Sequence, residues 1–178
     1  MHDTIKEFDE VTAKCRSIFV DKMQDYGASW RIFRLHGITD QLYIKACNIR
    51  QRQETGVSLV GDDIPGNLRA IVNYGITAII QARQGYADAV DMSNEEATKQ
   101  YDKVLNEAKE LMLRKNHDYG EAWREMSKEG IVDMILAKII RIKTILSNDG
   151  KTIASEGVEG NYFDIINYAI FDLIHYEN

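Results

Sequence analysis

A cation, a carboxylate, two aromatic rings and a guanidinium lie close together in Lys115-Asn116-His117-Asp118-Tyr119-Gly120, followed by Trp123 and Arg124. Lysine and arginine suit a phosphate, a carboxylate holds a metal or a water, and tyrosine or tryptophan offers a plane for a base, which together is what a nucleotide requires. The chain has already written the same set as Lys22, Asp25, Tyr26, Gly27, Trp30 and Arg31, at a constant offset of 93 residues. A second set is acidic: Glu156, Glu159, Asp164 and Asp172. Repeat one has Ala70 and Ala78 at the positions of Asp164 and Asp172, so the acids belong to repeat two alone. Carboxylates on facing helices hold Mg²⁺, which prefers hard oxygen ligands and can position a water against a phosphate. Glu156, Asp164 and Asp172 are therefore the candidate metal ligands, and Asp118 and Asp164 the candidate catalytic carboxylates. Lys115, Tyr119, Trp123 and Arg124 are candidate substrate contacts, with Lys138 and Arg141, which sit three apart on one helix face, and Asn167. Eight residues separate Asp164 from Asp172, which is expected to leave them on roughly one face.

A ligand is not the only explanation. Lysine in a last helical turn complements the dipole, aspartate pairs locally, tyrosine packs and glycine turns the chain. The Asn-Tyr pairs Asn73-Tyr74 and Asn167-Tyr168 recur inside helices, where asparagine is a poor helix former. A hydrogen bond between helices explains them as well as ligand recognition does.

The elements that must carry these residues are helical. Thr4 and Glu7 form a capping box for a first helix to about Gln24, with Phe8, Val11, Cys15, Phe19 and Met23 on one face. Ser93 and Glu96 open the counterpart, with Tyr101, Val104, Ala108 and Met112 on its stripe. Glycine after each Asp-Tyr ends the helix and turns the chain into the short segment bearing Trp and Arg. Second helices are expected from Thr39 and Asp133, and third helices after Pro65 and Gly160. No alternating strand pattern of useful length is present; 56–60 is the best candidate. The expected fold is all-α, a tandem duplication of a three-to-four-helix unit packed as one pseudo-symmetric bundle: repeat one 1–85, linker 86–92, repeat two 93–178.

Composition narrows the class. With 44% apolar residues in 178, the chain can build a core. The net charge of −6 lies wholly in the second half, since residues 1–90 hold 11 basic and 11 acidic side chains and the rest hold 11 and 17. That balance argues against gripping duplex DNA by its phosphates but not against a single nucleotide. Two cysteines suggest a reducing compartment rather than a disulfide framework, and no apolar run reaches the length of a membrane span. A cytoplasmic protein is expected, with homo-oligomerisation left open.

At the Lys-x-x-Asp-Tyr-Gly openings and the late Asn-Tyr helices the chain resembles the nucleotide modification associated domain 1 family, as two tandem copies. The resemblance implies a role near nucleotide or nucleic-acid modification. The helical layout also resembles the all-α nucleoside triphosphate pyrophosphohydrolases, whose Mg²⁺ is held by Glu-x-x-Glu and Glu-x-x-Asp helices. Glu107-x-x-Glu110 is present, but its partner reads Asn161-x-x-Asp164. Two functions follow as expectations. One is a Mg²⁺-dependent hydrolase of a modified or ordinary nucleoside phosphate, sited in repeat two; the other is a non-catalytic module that binds a nucleotide or docks a protein.

Overall fold

A computed structural model describes residues 2–153 and 157–178. Its helices are α1 Thr4–Tyr26, α2 Leu35–Thr55, α3 Ile64–Gln84, α4 Asn94–Tyr119, α5 Lys128–Ser147 and α6 Val158–Glu177. Single 3₁₀ turns, Ser29–Ile32 and Ala122–Glu125, follow α1 and α4. No strand occurs among the described residues, and 56–60 is irregular.

The starts of the helices follow local chemistry. Asp3, not Thr4, caps α1 by accepting from the Lys6 amide at 3.0 Å, while Ser93 caps α4 as expected, accepting from Glu96 at 3.1 Å. The second helices begin earlier than Thr39 and Asp133. Ser127 caps α5 by accepting from the Gly130 amide at 2.9 Å, and α2 starts at Leu35 behind Arg34, which supplies no side-chain cap. Gly27 and Gly120 close α1 and α4 at φ 69°, ψ −167° and φ 63°, ψ −157°, a region essentially restricted to glycine.

The six helices form three layers, each a pair of equivalents: α2 with α5, α3 with α6 in the middle, and α1 with α4 on the other side. The central layer is apolar almost throughout, through Leu68, Ile71, Val72, Ile76 and Ile79 of α3 and Ile165, Ile166, Ala169, Ile170 and Leu173 of α6. The duplication therefore packs as an internal pseudo-dimer about a two-fold axis. Reciprocal ion pairs mark that axis. Arg16 Nε meets Asp102 Oδ1 at 2.7 Å, and its image, Lys109 Nζ, meets Asp9 Oδ1 at 2.8 Å. This crossed pairing requires α1 and α4 to run antiparallel.

The Asn-Tyr asparagines lock the layers together. Asn73 Nδ2 donates to the Cys15 carbonyl at 3.0 Å and Asn167 Nδ2 donates to the equivalent Ala108 carbonyl at 3.1 Å. Each repeat thus hangs its third helix on its own first helix. Among the described residues no helix is long and apolar enough to cross a membrane.

Candidate functional site

Each repeat carries one cleft between its first and third helices, closed at one end by the 3₁₀ turn. In repeat two the walls are two stripes of spacing i, i+3, i+4, i+7: Met112, Lys115, Asn116 and Tyr119 from α4, and Asp164, Asn167, Tyr168 and Phe171 from α6. Trp123 and Met126 form the end, and the cavity is about 190 Å³. The spacing puts four side chains of each helix on one face, so a continuous wall follows from sequence alone.

Charge is concentrated at one lip. Lys115 Nζ donates to Asp164 Oδ1 at 2.7 Å, and Lys138 Nζ, from α5, to Asp164 Oδ2 at 2.9 Å. Asp164 and Lys138 are nearly buried, with side chains 11% and 14% exposed, whereas Lys115 reaches solvent. Two ammonium groups on one carboxylate leave the lip net positive. Beside them, burial pushes the Tyr168 phenol above its ordinary value; the Asp164 carboxylate adds to that shift, and Lys115 and Arg141 oppose it. Arg141 thus belongs to the same electrostatic neighbourhood; neither it nor Lys138 lines the cavity, which Lys138 reaches only through Asp164. Trp123 stacks on Phe171 with centroids 4.3 Å apart and planes 5° apart, while Tyr119 stands 75% exposed at the opening.

Several candidates lie elsewhere. Asp118 is exposed and pairs with His117 Nδ1 at 3.1 Å, away from the cleft lining. Arg124 is filled by structural partners: its Nε donates to Glu121 at 2.8 Å, and its Nη atoms to Glu7 at 3.1 Å and the Thr4 hydroxyl at 2.8 Å. Its counterpart Arg31, 4% exposed, donates to Asp91 at 3.0 Å, to the Gly85 carbonyl at 2.8 Å and to Gln81. Arg124 thus pins the start of α1, while Arg31 ties the end of α3 to the segment that leads into α4, so each has a structural role without a ligand.

The metal set does not come together. Eight residues advance a helix by about 80° beyond two full turns, so Asp172 leaves the face of Asp164. It is wholly buried, both carboxylate oxygens lack a hydrogen-bond partner, and the charges that act on it are Lys128 and Glu129 of α5. Glu156 lies outside the described residues. Glu107 pairs with Arg83 at 2.6 Å, and Asn161 Nδ2 donates to the Gly157 carbonyl at 3.0 Å, so the pyrophosphohydrolase-like acids are not assembled either. Among the described residues no group of three or more His, Cys, Asp or Glu side chains is arranged to hold a metal. Asp164, with a lysine on each oxygen, is a poor ligand for a divalent cation: the two ammonium groups would repel it. Among the described residues the donor set does not fit Mg²⁺.

Sequence reasoning did not place Met112, Asn116, Met126 or Phe171 in the site, although the i, i+3, i+4, i+7 register running from Lys115 and Asp164 contains the signal. A family model described as nucleotide modification associated domain 1 matches residues 22–82 and again 115–176. The chain belongs to the nucleotide modification associated domain 1 family. Each match begins at the cleft lysine and runs through the third helix, so the family unit contains most of each cleft wall. A comparison with curated proteins found no match, and neither did a comparison with solved structures.

Proposed function

We propose that this family member binds a nucleoside phosphate in the repeat-two cleft, with Lys115 and Lys138 on the phosphate and Tyr119 and Tyr168 against the base. The observation that carries the reading is the pair of lysines held on Asp164 at the lip of an aromatic cavity. In this arrangement Asp164 is an internal counter-ion: it keeps two ammonium groups in place until a more highly charged phosphate takes them over. The membership of the family supports a nucleotide-related ligand, and the poor fit to Mg²⁺ favours binding over metal-assisted hydrolysis.

Thermal unfolding against nucleoside mono-, di- and triphosphates, with and without Mg²⁺, tests the proposal. A ligand at one hundred times its dissociation constant adds about 2.7 kcal/mol to stability. Lys115→Ala and Lys138→Ala should remove the shift. Asp164→Ala separates the two expectations: it lowers the stability of the free protein and enlarges the nucleotide-induced shift if Asp164 is a counter-ion, and abolishes the shift if Asp164 is a metal ligand. A panel in which no nucleotide moves the midpoint defeats the reading.

A further inference from the structure

The cleft of repeat one repeats the same walls with a different charge arrangement. Phe19, Lys22, Met23 and Tyr26 of α1 face Ala70, Asn73, Tyr74 and Thr77 of α3 around a cavity of about 150 Å³, with Trp30 at its end. Alanine at 70 removes the carboxylate that Asp164 supplies in the other copy. Lys22 and Lys45, at the positions of Lys115 and Lys138, accordingly make no salt bridge among the described residues. A second cation lines this cavity: Arg69, whose Nη2 donates to Glu177 at 2.6 Å while its Nε is buried without a hydrogen-bond partner. The aromatic content differs too. Phe19 replaces Met112 and Phe33 replaces Met126, whereas Thr77 replaces Phe171, so Trp30 lacks the parallel stack that covers Trp123. Trp30 instead leans on Phe19 at 43°.

We propose that the repeat-one cleft is a second ligand site, for a planar aromatic ring bearing an anion, and that Ala70 makes it the site where the anion meets a lysine with no internal carboxylate to displace. An anion entering the repeat-two cleft must separate Asp164 from two lysines; one entering the repeat-one cleft finds Lys22 unneutralised, and charge-assisted hydrogen bonds to a cation are among the stronger polar contacts available. The two clefts then differ in anion preference through one position, 70 in the first copy and 164 in the second. The proposal shares with the repeat-two reading only the choice of probe.

The chain holds two tryptophans, one at the end of each cleft, and they report separately. In Trp123→Phe protein, Trp30 alone reports the repeat-one cleft; in Trp30→Phe protein, Trp123 alone reports the other. Both are titrated with AMP, GMP, CMP, UMP, their di- and triphosphates and inorganic phosphate, excited beyond nucleotide absorption. Trp30 emission is expected to change saturably with at least one nucleotide and to do so at lower concentration than Trp123. Lys22→Ala is expected to weaken that binding about tenfold, the equivalent of one lost charge-assisted contact. Ala70→Asp should weaken it to a similar degree by giving Lys22 a carboxylate, and Ala70→Ser, which adds volume without charge, should not.

A silent Trp30 beside a responsive Trp123 overturns the second site and leaves the repeat-two reading standing. A responsive Trp30 beside a silent Trp123 does the reverse. Silence from both defeats both readings. Phosphate binding as tightly as every nucleotide defeats the aromatic part of the proposal, and an Ala70→Asp protein with unchanged affinity defeats the role of position 70.

Discussion

Asp172 shows how far one buried side chain shapes the response to pH. Burial pushes its carboxyl up to about 7, with Glu129 adding to the shift and Lys128 opposing it. The folded state therefore holds this proton more tightly than the unfolded chain does, and between the ordinary carboxylate range and about pH 7 stability falls as pH rises. Below that window the group costs little; above pH 7 the loss is complete, on the order of 4 kcal/mol at 1.36 kcal/mol per unit. Asp172→Asn, a neutral mimic of the protonated acid, should be more stable than the parent at pH 8 and nearly equal to it at pH 5. Urea midpoints at the two pH values check this, and an unchanged difference between the midpoints counts against it. Gly120 is a second position where one residue decides. A Cβ there would meet nothing within 4 Å, so the cost of Gly120→Ala is backbone strain alone. About 1–3 kcal/mol of destabilisation is expected, read as a lower denaturant midpoint at unchanged slope. Asn167 makes the opposite case. Tyr101 donates to Asn73 Oδ1 at 2.6 Å, but its counterpart is Phe8, and Asn167 Oδ1 is buried with no donor. Phe8→Tyr should supply that donor and stabilise the fold by about 1 kcal/mol in thermal unfolding.

Among the elements, the crossing of α3 and α6 is the tightest constraint. A Cβ on Gly75 would come within 2.7 Å of Ile166 Cγ1, whereas the equivalent Ala169 carries its Cβ in the same layer, where the equivalent of Ile166 is the smaller Val72. The two copies have therefore exchanged volume across the axis: glycine with isoleucine on one side, alanine with valine on the other. Gly75→Ala should destabilise by about 1–3 kcal/mol through overpacking. Ile166→Ala removes the atoms it would strike, so the double variant should lose less than the sum of the single ones in a double-mutant cycle; strict additivity would place the strain elsewhere. The same scale explains what could be read from the sequence. The six helices and their pairing were legible because apolar stripes and polar motifs recur together at 93 and 94 residues. The starts of α2 and α5 were not, because Arg34 carries no capping signal and Ser127 lies six residues before Asp133. Lys115, Tyr119, Trp123, Asp164 and Asn167 do line one cleft, since motif and register agree at those positions. Arg124 and Asp118 were grouped with them by proximity along the chain, although a helix terminus fans consecutive residues in different directions. Asp172 was misplaced by treating eight residues as two whole turns.

At the scale of the whole molecule, the pseudo-dimer interface has become one that only unlike halves satisfy. Lys14 of α1 meets Glu177 of α6 at 3.1 Å. The two-fold image of that contact is Glu107 of α4 with Arg83 of α3 at 2.6 Å, the same pair with its signs reversed. Arg83 also bonds Glu159 at 2.6 Å, and its image, Glu177, also bonds Arg69 at 2.6 Å, so each reversal is reinforced by a second partner. Two copies of repeat one in this arrangement would set Lys14 against Arg83, and two copies of repeat two would set Glu107 against Glu177. Like charges across an interface cost enough to reject a partner even where a matched surface pair adds only about 0–1 kcal/mol. Chains of 1–90 and 91–178 produced together should therefore associate one to one, reforming the α3 and α6 layer, while neither half should self-associate through that face. Native mass spectrometry of the mixed and separate halves distinguishes the outcomes. Homodimers of either half as tight as the mixed pair would mean that the apolar layer alone governs assembly. Reversing the sign at both members of this contact, with Arg83→Glu in one half and Glu107→Lys in the other, and with Glu159→Gln to remove the second carboxylate beside position 83, should leave the mixed pair intact, because the salt bridge is only inverted. In the half carrying Arg83→Glu, Lys14 then faces a glutamate in a second copy, so that half should gain the self-association its parent lacks.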